Sequence, residues 1–259
     1  MNNKKLILFD IDGTLFDNKQ QIILPKSIEA IKHLHKHHTI AIATGRAAFM
    51  LDSINEVKPM IDYYVLINGQ YIQAHKNTIF KEPLSQELLI KLIASMQKHH
   101  LAYGFEDSHH EAVSKIDALV LHSFQKLGLA VPPIDEMFYL HHDVFQAWVF
   151  SEPEAVELLK KEFPELNFIK WMDVGYDILP KHASKGLGMR RLADHLHFDL
   201  KDVIAFGDGD NDFEMIRDAG MGIAMGNATS KVKKVAKHVT DDVANDGIYQ
   251  ALLHFDLIK

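Results

Sequence analysis

Three short runs constrain this chain most: KLILF at 5–9, TIAIA at 39–43 and YYVLI at 63–67. Each is too brief for a helix and apolar at nearly every position. A half-buried strand alternates apolar with polar residues. An unbroken apolar run of this length reads instead as a strand covered on both faces. Residues 25–38 lie between the first two runs, with Ile28, Ile31 and Leu34 at helical spacing and Pro25 suited to a first turn. Residues 46–57 also read as a helix. Strand, helix, strand, helix, strand at these lengths predicts a parallel sheet with crossover helices. The pattern returns near the end of the chain. Residues 183–197 read as a helix, VIAF at 203–206 as a strand and 210–218 as a short helix. MGIA at 221–224 is a further strand, and 245–254 a closing helix.

The middle of the chain obeys a different pattern. Residues 71–80 read as a hairpin turning near His75–Asn77. Residues 85–100 form an amphipathic helix on Leu88, Leu89, Leu92, Ile93 and Met96. Strands are predicted at 101–106, 144–150, 166–171 and 174–179, with helices near 117–127 and 153–163. The expected fold is therefore α/β: a Rossmann-like, doubly wound parallel sheet core interrupted by an inserted α+β domain. Boundaries near Pro83 and Pro180 give a core of 1–82 with 181–259 and an insertion of 83–180.

With 259 residues, 47% of them hydrophobic, the chain can bury a sizeable core. Lys and Arg number 28 against 35 Asp and Glu, a formal charge of −7. That balance argues against a nucleic-acid partner, which selects a basic footprint. It leaves room for a phosphorylated small molecule, because a few cations or a metal reverse the field inside a cleft. The absence of cysteine excludes disulfides, cysteine zinc sites and thiol nucleophiles. The first residues, MNNKKLILFDIDG, are too poor in apolar residues for a signal-peptide core. No run approaches the roughly 18 apolar residues of a membrane span. The expectation is a soluble cytoplasmic protein without a membrane partner.

Three polar clusters follow core strands directly: Asp10–Thr14, Thr44–Arg46 and Gly207–Asp212. In an open α/β sheet the carboxyl ends of the strands form the ligand crevice, so clusters distant in sequence meet there. Asp10 and Asp12 by themselves are also what a surface turn looks like. At a crevice they suit phosphoryl chemistry. One carboxylate attacks phosphorus, and a second carboxyl protonates the leaving oxygen and then activates water. GDGDND at 207–212 is rich in oxygen ligands for a hard cation such as magnesium, with Asp208 the first candidate and Asn211 and Asp212 one turn on. It could equally be an acidic helix cap. The Thr44 hydroxyl, the Gly45 amide and a predicted helix start together make an anion site, to which Arg46 could add charge or beside which it could simply lie on the surface. Lys185, in HASKGLG, could balance the charge, although a lone lysine is usually solvated.

Other features carry less. KGLGMRR at 185–191 lacks the third glycine of a dinucleotide fingerprint. His33, His35, His37 and His38 sit at the polar end of a helix. His109–His110 and His141–His142 each lack a second motif half. Tyr103, Phe105, Trp148, Trp171 and Tyr176 suit the core of the insertion better than a pocket.

DIDGTL at 10–15, TGR at 44–46, SKG at 184–186 and GDGDNDFEM at 207–215 resemble, in order and spacing, the four motifs of the haloacid dehalogenase superfamily. AGMGIAMGNA at 219–228 is similar to its Cof-type phosphatases. The resemblance implies that Asp10 is nucleophile and magnesium ligand, and that Asp12 is general acid/base and offers its backbone carbonyl to the metal. Thr44 and the Gly45 amide would hold phosphate, with Arg46 adding charge, Lys185 neutralising it, Asp208 completing the Mg²⁺ site and Asn211 and Asp212 in support. The long stretch between TGR and SKG resembles a C2-type cap, folded over the site as a lid that selects the substrate. The implied activity is a Mg²⁺-dependent phosphatase of small phosphomonoesters such as sugar phosphates, flavin mononucleotide or pyridoxal phosphate. A phosphomutase or phosphotransferase with the same intermediate is the alternative, as is a non-catalytic phosphometabolite-binding protein.

Overall fold

A computed structural model of the chain describes residues 4–259. In chain order the elements are β1 (Leu6–Phe9), α1 (Pro25–Leu34), β2 (Thr39–Ala43), β3 (Tyr63–Leu66), β4 (Tyr71–Ala74), β5 (Asn77–Lys81), α2 (Gln86–Lys98), β6 (Ala102–Glu106), β7 (Glu111–Val113), α3 (Ala118–Lys126), α4 (Phe138–His141) and β8 (Gln146–Phe150). There follow α5 (Pro153–Glu162), β9 (Leu166–Lys170), β10 (Gly175–Pro180), α6 (Lys185–His195), β11 (Val203–Gly207), α7 (Phe213–Asp218), β12 (Met221–Ala224), α8 (Ser230–Val235), β13 (His238–Val239) and α9 (Gly247–His254). They divide into two compact units. One comprises the residues up to Lys81 with Ala183–Lys259, and the other Glu82–His182.

The first unit is built on an eight-stranded sheet in the order β13-β12-β11-β1-β2-β3-β4-β5. Strands from β13 to β3 are parallel, and the β4–β5 hairpin closes one edge antiparallel. The unbroken apolar runs have the cause anticipated: β1 is buried at all four positions and β2 at all five. Leu6 and Leu8 join a cluster with Met189 and Leu192 of α6 and Ile216 of α7. Alternation turns Ile7 and Phe9 to the opposite face. Helix α1 packs on β2 and on α9, outside that cluster. The sheet is therefore covered on both faces, as a doubly wound α/β core requires.

Register decides where the polar clusters fall. Phe9 lies opposite Phe206 on one side and Ile42 on the other, and Phe206 lies opposite Ile223. The rings of Phe9 and Phe206 stack with centroids 4.9 Å apart. The chain therefore leaves β1 at Asp10, β2 at Thr44, β11 at Asp208 and β12 at Met225 along one edge of the sheet.

The second unit is a five-stranded antiparallel sheet in the order β7-β6-β8-β10-β9. One face carries Tyr103, Phe105, Val149, Tyr176 and Ile178 against the apolar stripes of α2 and α5. Trp148 and Phe150 pack on the other with Phe124 and, partly buried, Trp171. Tyr103, Phe105, Trp148 and Tyr176 are thus core, with Trp171 at its border.

One local expectation needs amendment. Residues 46–57 are not an α-helix but single 3₁₀ turns at Ala48–Met50 and Asp52–Ile54, followed by Lys58–Met60. Arg46 Nη1 donates to the Met50 carbonyl and to Ser53 Oγ, 3.0 Å each. The Ile54 amide, which an α-helix would direct to Met50, bonds to Leu51 O instead. Strand β7 and helix α4, of three and four residues, are too short to leave a periodic signal. No helix among the described residues is long and apolar enough to cross a membrane.

Candidate active site

Asp10 follows β1 directly. Its amide donates to the Phe206 carbonyl at 3.1 Å, which extends the β1–β11 ladder and fixes its direction. The residue is only 4% exposed. Burial pushes the Asp10 carboxyl well above the usual carboxylate range; the nearby charge of Asp212 adds to this, and Lys185 opposes it. Lys185 Nζ lies 2.6 Å from Asp10 Oδ1 and 2.7 Å from Asp212 Oδ1, with all three groups buried. Burial alone would lower the lysine's affinity for its proton; Asp10 and Asp212 override it and hold the ammonium above its ordinary range. Lys185 opens α6, where the helix dipole disfavours a cation, so the two acids hold it there. Ser184 caps that helix by accepting from the Leu187 amide at 3.1 Å, and its hydroxyl donates to Glu214.

Asp212 has both oxygens engaged. Its Oδ2 accepts from the amides of Asp208 and Gly209, 2.9 Å each, and so shapes the loop after β11. Asp208 accepts from Thr14 Oγ1 at 2.9 Å and from Asn227 Nδ2 at 3.1 Å. Burial pushes its carboxyl up to about 6, against the pull of the Thr14 hydroxyl. Asn227 also donates to the Gly13 carbonyl at 2.7 Å. Gly13 has φ +78°, and a Cβ there would lie 2.4 Å from Asp208 Oδ2. Only glycine brings the two loops this close.

Asp12 has a cation of its own. Arg46 grips it bidentately, Nε to Oδ2 at 2.9 Å and Nη2 to Oδ1 at 2.5 Å. The two aspartates thus tolerate each other by having separate cationic partners. Arg46, expected at a phosphate, is found on Asp12. Thr44 is buried, with its Oγ1 accepting from the Arg46 amide at 3.2 Å. Asn211 is exposed on the turn before α7.

Two residues that sequence reasoning did not single out join this edge. Asn227 was only a letter in AGMGIAMGNA, yet it ties Gly13 to Asp208. Asn68 follows β3 in a loop where Ile67, Asn68 and Gly69 all have positive φ. For a β-branched isoleucine this is a strained conformation. The Asn68 amide donates to the Thr44 carbonyl at 3.1 Å. Its buried Oδ1 has no hydrogen-bond partner among the described residues, and its amide group lies against Gly45. The Asn-Gly pair was the available signal.

Asp10, Asp208 and Asp212 present oxygens that all lie within 4.8 Å of one another. An all-oxygen donor set suits a hard cation. Asp212 is committed to Lys185 and two backbone amides, whereas Asp208 meets only the neutral donors of Thr14 and Asn227 and Asp10 is bonded to Lys185 through Oδ1, so Asp10 and Asp208 are the better placed to turn to a cation.

Residues 7–252 match the haloacid dehalogenase-like hydrolase family. The chain belongs to that family. This hydrolase is 34% identical to YkrA of Bacillus subtilis (strain 168) over 261 residues, which is 99% of this chain and all of YkrA. It is also similar to the solved structure of BT1666 from Bacteroides thetaiotaomicron, one of the phosphatases of that superfamily, at 30% identity and a TM-score of 0.90; 99% of this chain and 97% of that one are covered. BT4131, a subclass IIB sugar phosphatase, matches at 30% identity and a TM-score of 0.85 over 98% of this chain and all of its own. The match spans both units, and the acid cluster falls within it.

Proposed function

We propose that this hydrolase is a Mg²⁺-dependent phosphatase of small phosphomonoesters, acting through an aspartyl-phosphate on Asp10. The observation that carries the reading is the buried Asp10–Lys185–Asp212 arrangement at the sheet edge, with Asp208 beside it and Asp12 paired with Arg46. Asp10 and Asp208 would hold the cation, with the Asp12 backbone carbonyl contributing and Asp212 bracing the loop. When bound, Mg²⁺ supplies charge that draws phosphate against two acids and stabilises its equatorial oxygens.

An Asp10 carboxylate oxygen attacks phosphorus in line, forming the new P–O bond as the ester P–O bond breaks. Asp12 gives its proton to the departing alkoxide. Water then loses a proton to Asp12 and attacks the aspartyl-phosphate, which releases inorganic phosphate and restores both acids. Thr44, the Gly45 amide and Lys185 bind the phosphate oxygens. Arg46 exchanges Asp12 for phosphate when substrate arrives, which frees Asp12 to carry the proton. Asn211 offers a further amide at the rim. The insertion, Glu82–His182, selects the alcohol. BT4131 makes sugar phosphates the first class to test, with flavin mononucleotide and pyridoxal phosphate after them.

The decisive experiment is a phosphate-release screen over such compounds with and without Mg²⁺, run on the wild type and Asp10→Asn. We expect release only with Mg²⁺ and none above background from the variant, whose circular dichroism stays native. Equal release by Asp10→Asn would overturn the covalent reading. A phosphorylated acceptor formed without free phosphate would turn it toward phosphoryl transfer.

A further inference from the structure

A second group of metal-ligating side chains converges within Glu82–His182, formed by Asp107, His110 and His142. Asp107 and His110 belong to the turn joining β6 to β7. His142 lies just beyond α4, 35 residues from Asp107. Each of the two His-His pairs that stood alone in the sequence supplies one member.

Asp107 builds its own turn. Its Oδ1 accepts from the amides of His109 and His110, 2.5 Å each. Its Oδ2 is left facing both imidazoles, 2.6 Å from His142 Nδ1 and 3.2 Å from His110 Nδ1. Asp107 is 7% exposed, so the carboxylate cannot swing freely to solvent. The His142 ring is held flat on Phe138, with centroids 3.9 Å apart and planes 5° apart. The three candidate ligand atoms lie within 4.8 Å of one another. Ligands around a tetrahedral ion with bonds of about 2.0–2.1 Å stand about 3.3 Å apart. The side chains are thus within small adjustments of a ligating arrangement.

We propose that Asp107 Oδ2, His110 Nδ1 and His142 Nδ1 hold one divalent transition-metal ion, best matched by Zn²⁺, which pins the β6–β7 turn to the segment between α4 and β8. Two imidazoles and a carboxylate suit Zn²⁺, Co²⁺ or Ni²⁺, whereas Mg²⁺ and Ca²⁺ take oxygen ligands. Three protein ligands leave a fourth position for water. His110, with its side chain 65% exposed, provides the way in. On binding, each imidazole presents its Nδ1 lone pair and carries its proton on Nε2. His109 stands outside the site, its Nδ1 engaged by Ser108 Oγ at 2.7 Å. The inference rests on this geometry alone and is independent of the phosphatase reading.

The test uses the full chain, stripped with a chelator and held in excess Mg²⁺ to occupy the acid cluster. Zn²⁺ is titrated by calorimetry, Co²⁺ by visible absorption, and melting is followed with and without Zn²⁺. We expect one equivalent bound and a rise in Tm. His110→Gln alters an exposed side chain and should leave the fold intact. It should weaken Zn²⁺ by at least the roughly 10–100-fold that losing an outer-sphere partner costs, and abolish the Tm rise. His142→Gln should do the same, whereas His109→Gln and Asp208→Asn should bind as the wild type does. No stoichiometric binding by the wild type would overturn the proposal. So would equal binding by the wild type and His110→Gln, or binding lost in Asp208→Asn but kept in His110→Gln.

Discussion

Lys185 is a cation removed from water and placed between Asp10 and Asp212, 2.6 and 2.7 Å away. Such an arrangement is stable only while every member is paired, and removing one partner typically costs about 3–5 kcal/mol. Lys185→Met should therefore destabilise the metal-free chain by about that much at neutral pH, as read by urea unfolding. The loss should shrink in acid, where Asp10, already displaced upward, takes up a proton. Asp208 makes a separate prediction. A proton and a cation compete for its carboxylate, and burial has moved that competition up to about 6. Mg²⁺ affinity measured by calorimetry should fall as pH drops through that value, and Asp208→Asn should bind weakly on both sides of it. Gly13→Ala tests the close approach of the loops: a Cβ 2.4 Å from Asp208 Oδ2 should cost most of the Mg²⁺ affinity.

Helix α6 acts as a positioning device, and its Ser184 cap sets the first turn from which Lys185 extends. Ser184→Ala should cost about 1 kcal/mol in denaturant unfolding, with a larger proportional loss of phosphate release because the ammonium is no longer registered against Asp10. Elements of this kind were legible in the sequence wherever one physical cause dominated. β1 and β2 announced themselves because a strand covered on both faces has to be apolar throughout. α2 did so because its stripe of Leu89, Leu92, Ile93 and Met96 is one buried face. Residues 46–57 were misread because a guanidinium took the carbonyl that helix propagation needed, which is a tertiary event that no local pattern records. The same limit applies to the candidate site. Asp10, Thr44 and Asp208 could be placed because each follows a strand, and strand ends meet. The grip of Arg46 on Asp12, the unpartnered Oδ1 of Asn68 and the bridge made by Asn227 depend on loops meeting in space. Asp107 and His142 likewise gave no joint signal across 35 residues.

At the scale of the molecule, the two units have separate cores and should answer to pH separately. In the second, Asp177 lies opposite Trp148, and burial pushes its carboxyl from 3.8 to about 8. A carboxyl raised on folding binds its proton more tightly in the native chain. Its stabilisation is therefore complete below the unfolded value and is lost as pH rises through the folded one. Asp177→Asn should melt higher than the wild type at about pH 9 and with it at about pH 4, as read by a Tm series. The ends of the second unit also meet: His182 Nε2 lies 3.3 Å from Glu82 Oε1. Residues 82–182 expressed alone should consequently fold cooperatively with native-like circular dichroism, and a chain joining Lys81 to Ala183 should keep the acid cluster and the Mg²⁺ binding proposed for it. A segment that departs and returns at one spot can be exchanged whole by a single genetic recombination, with no strand of the parallel sheet reordered. Under the proposed function, choice of alcohol and the machinery of hydrolysis would then be heritable separately, so a lineage could change its substrate without reinventing its chemistry.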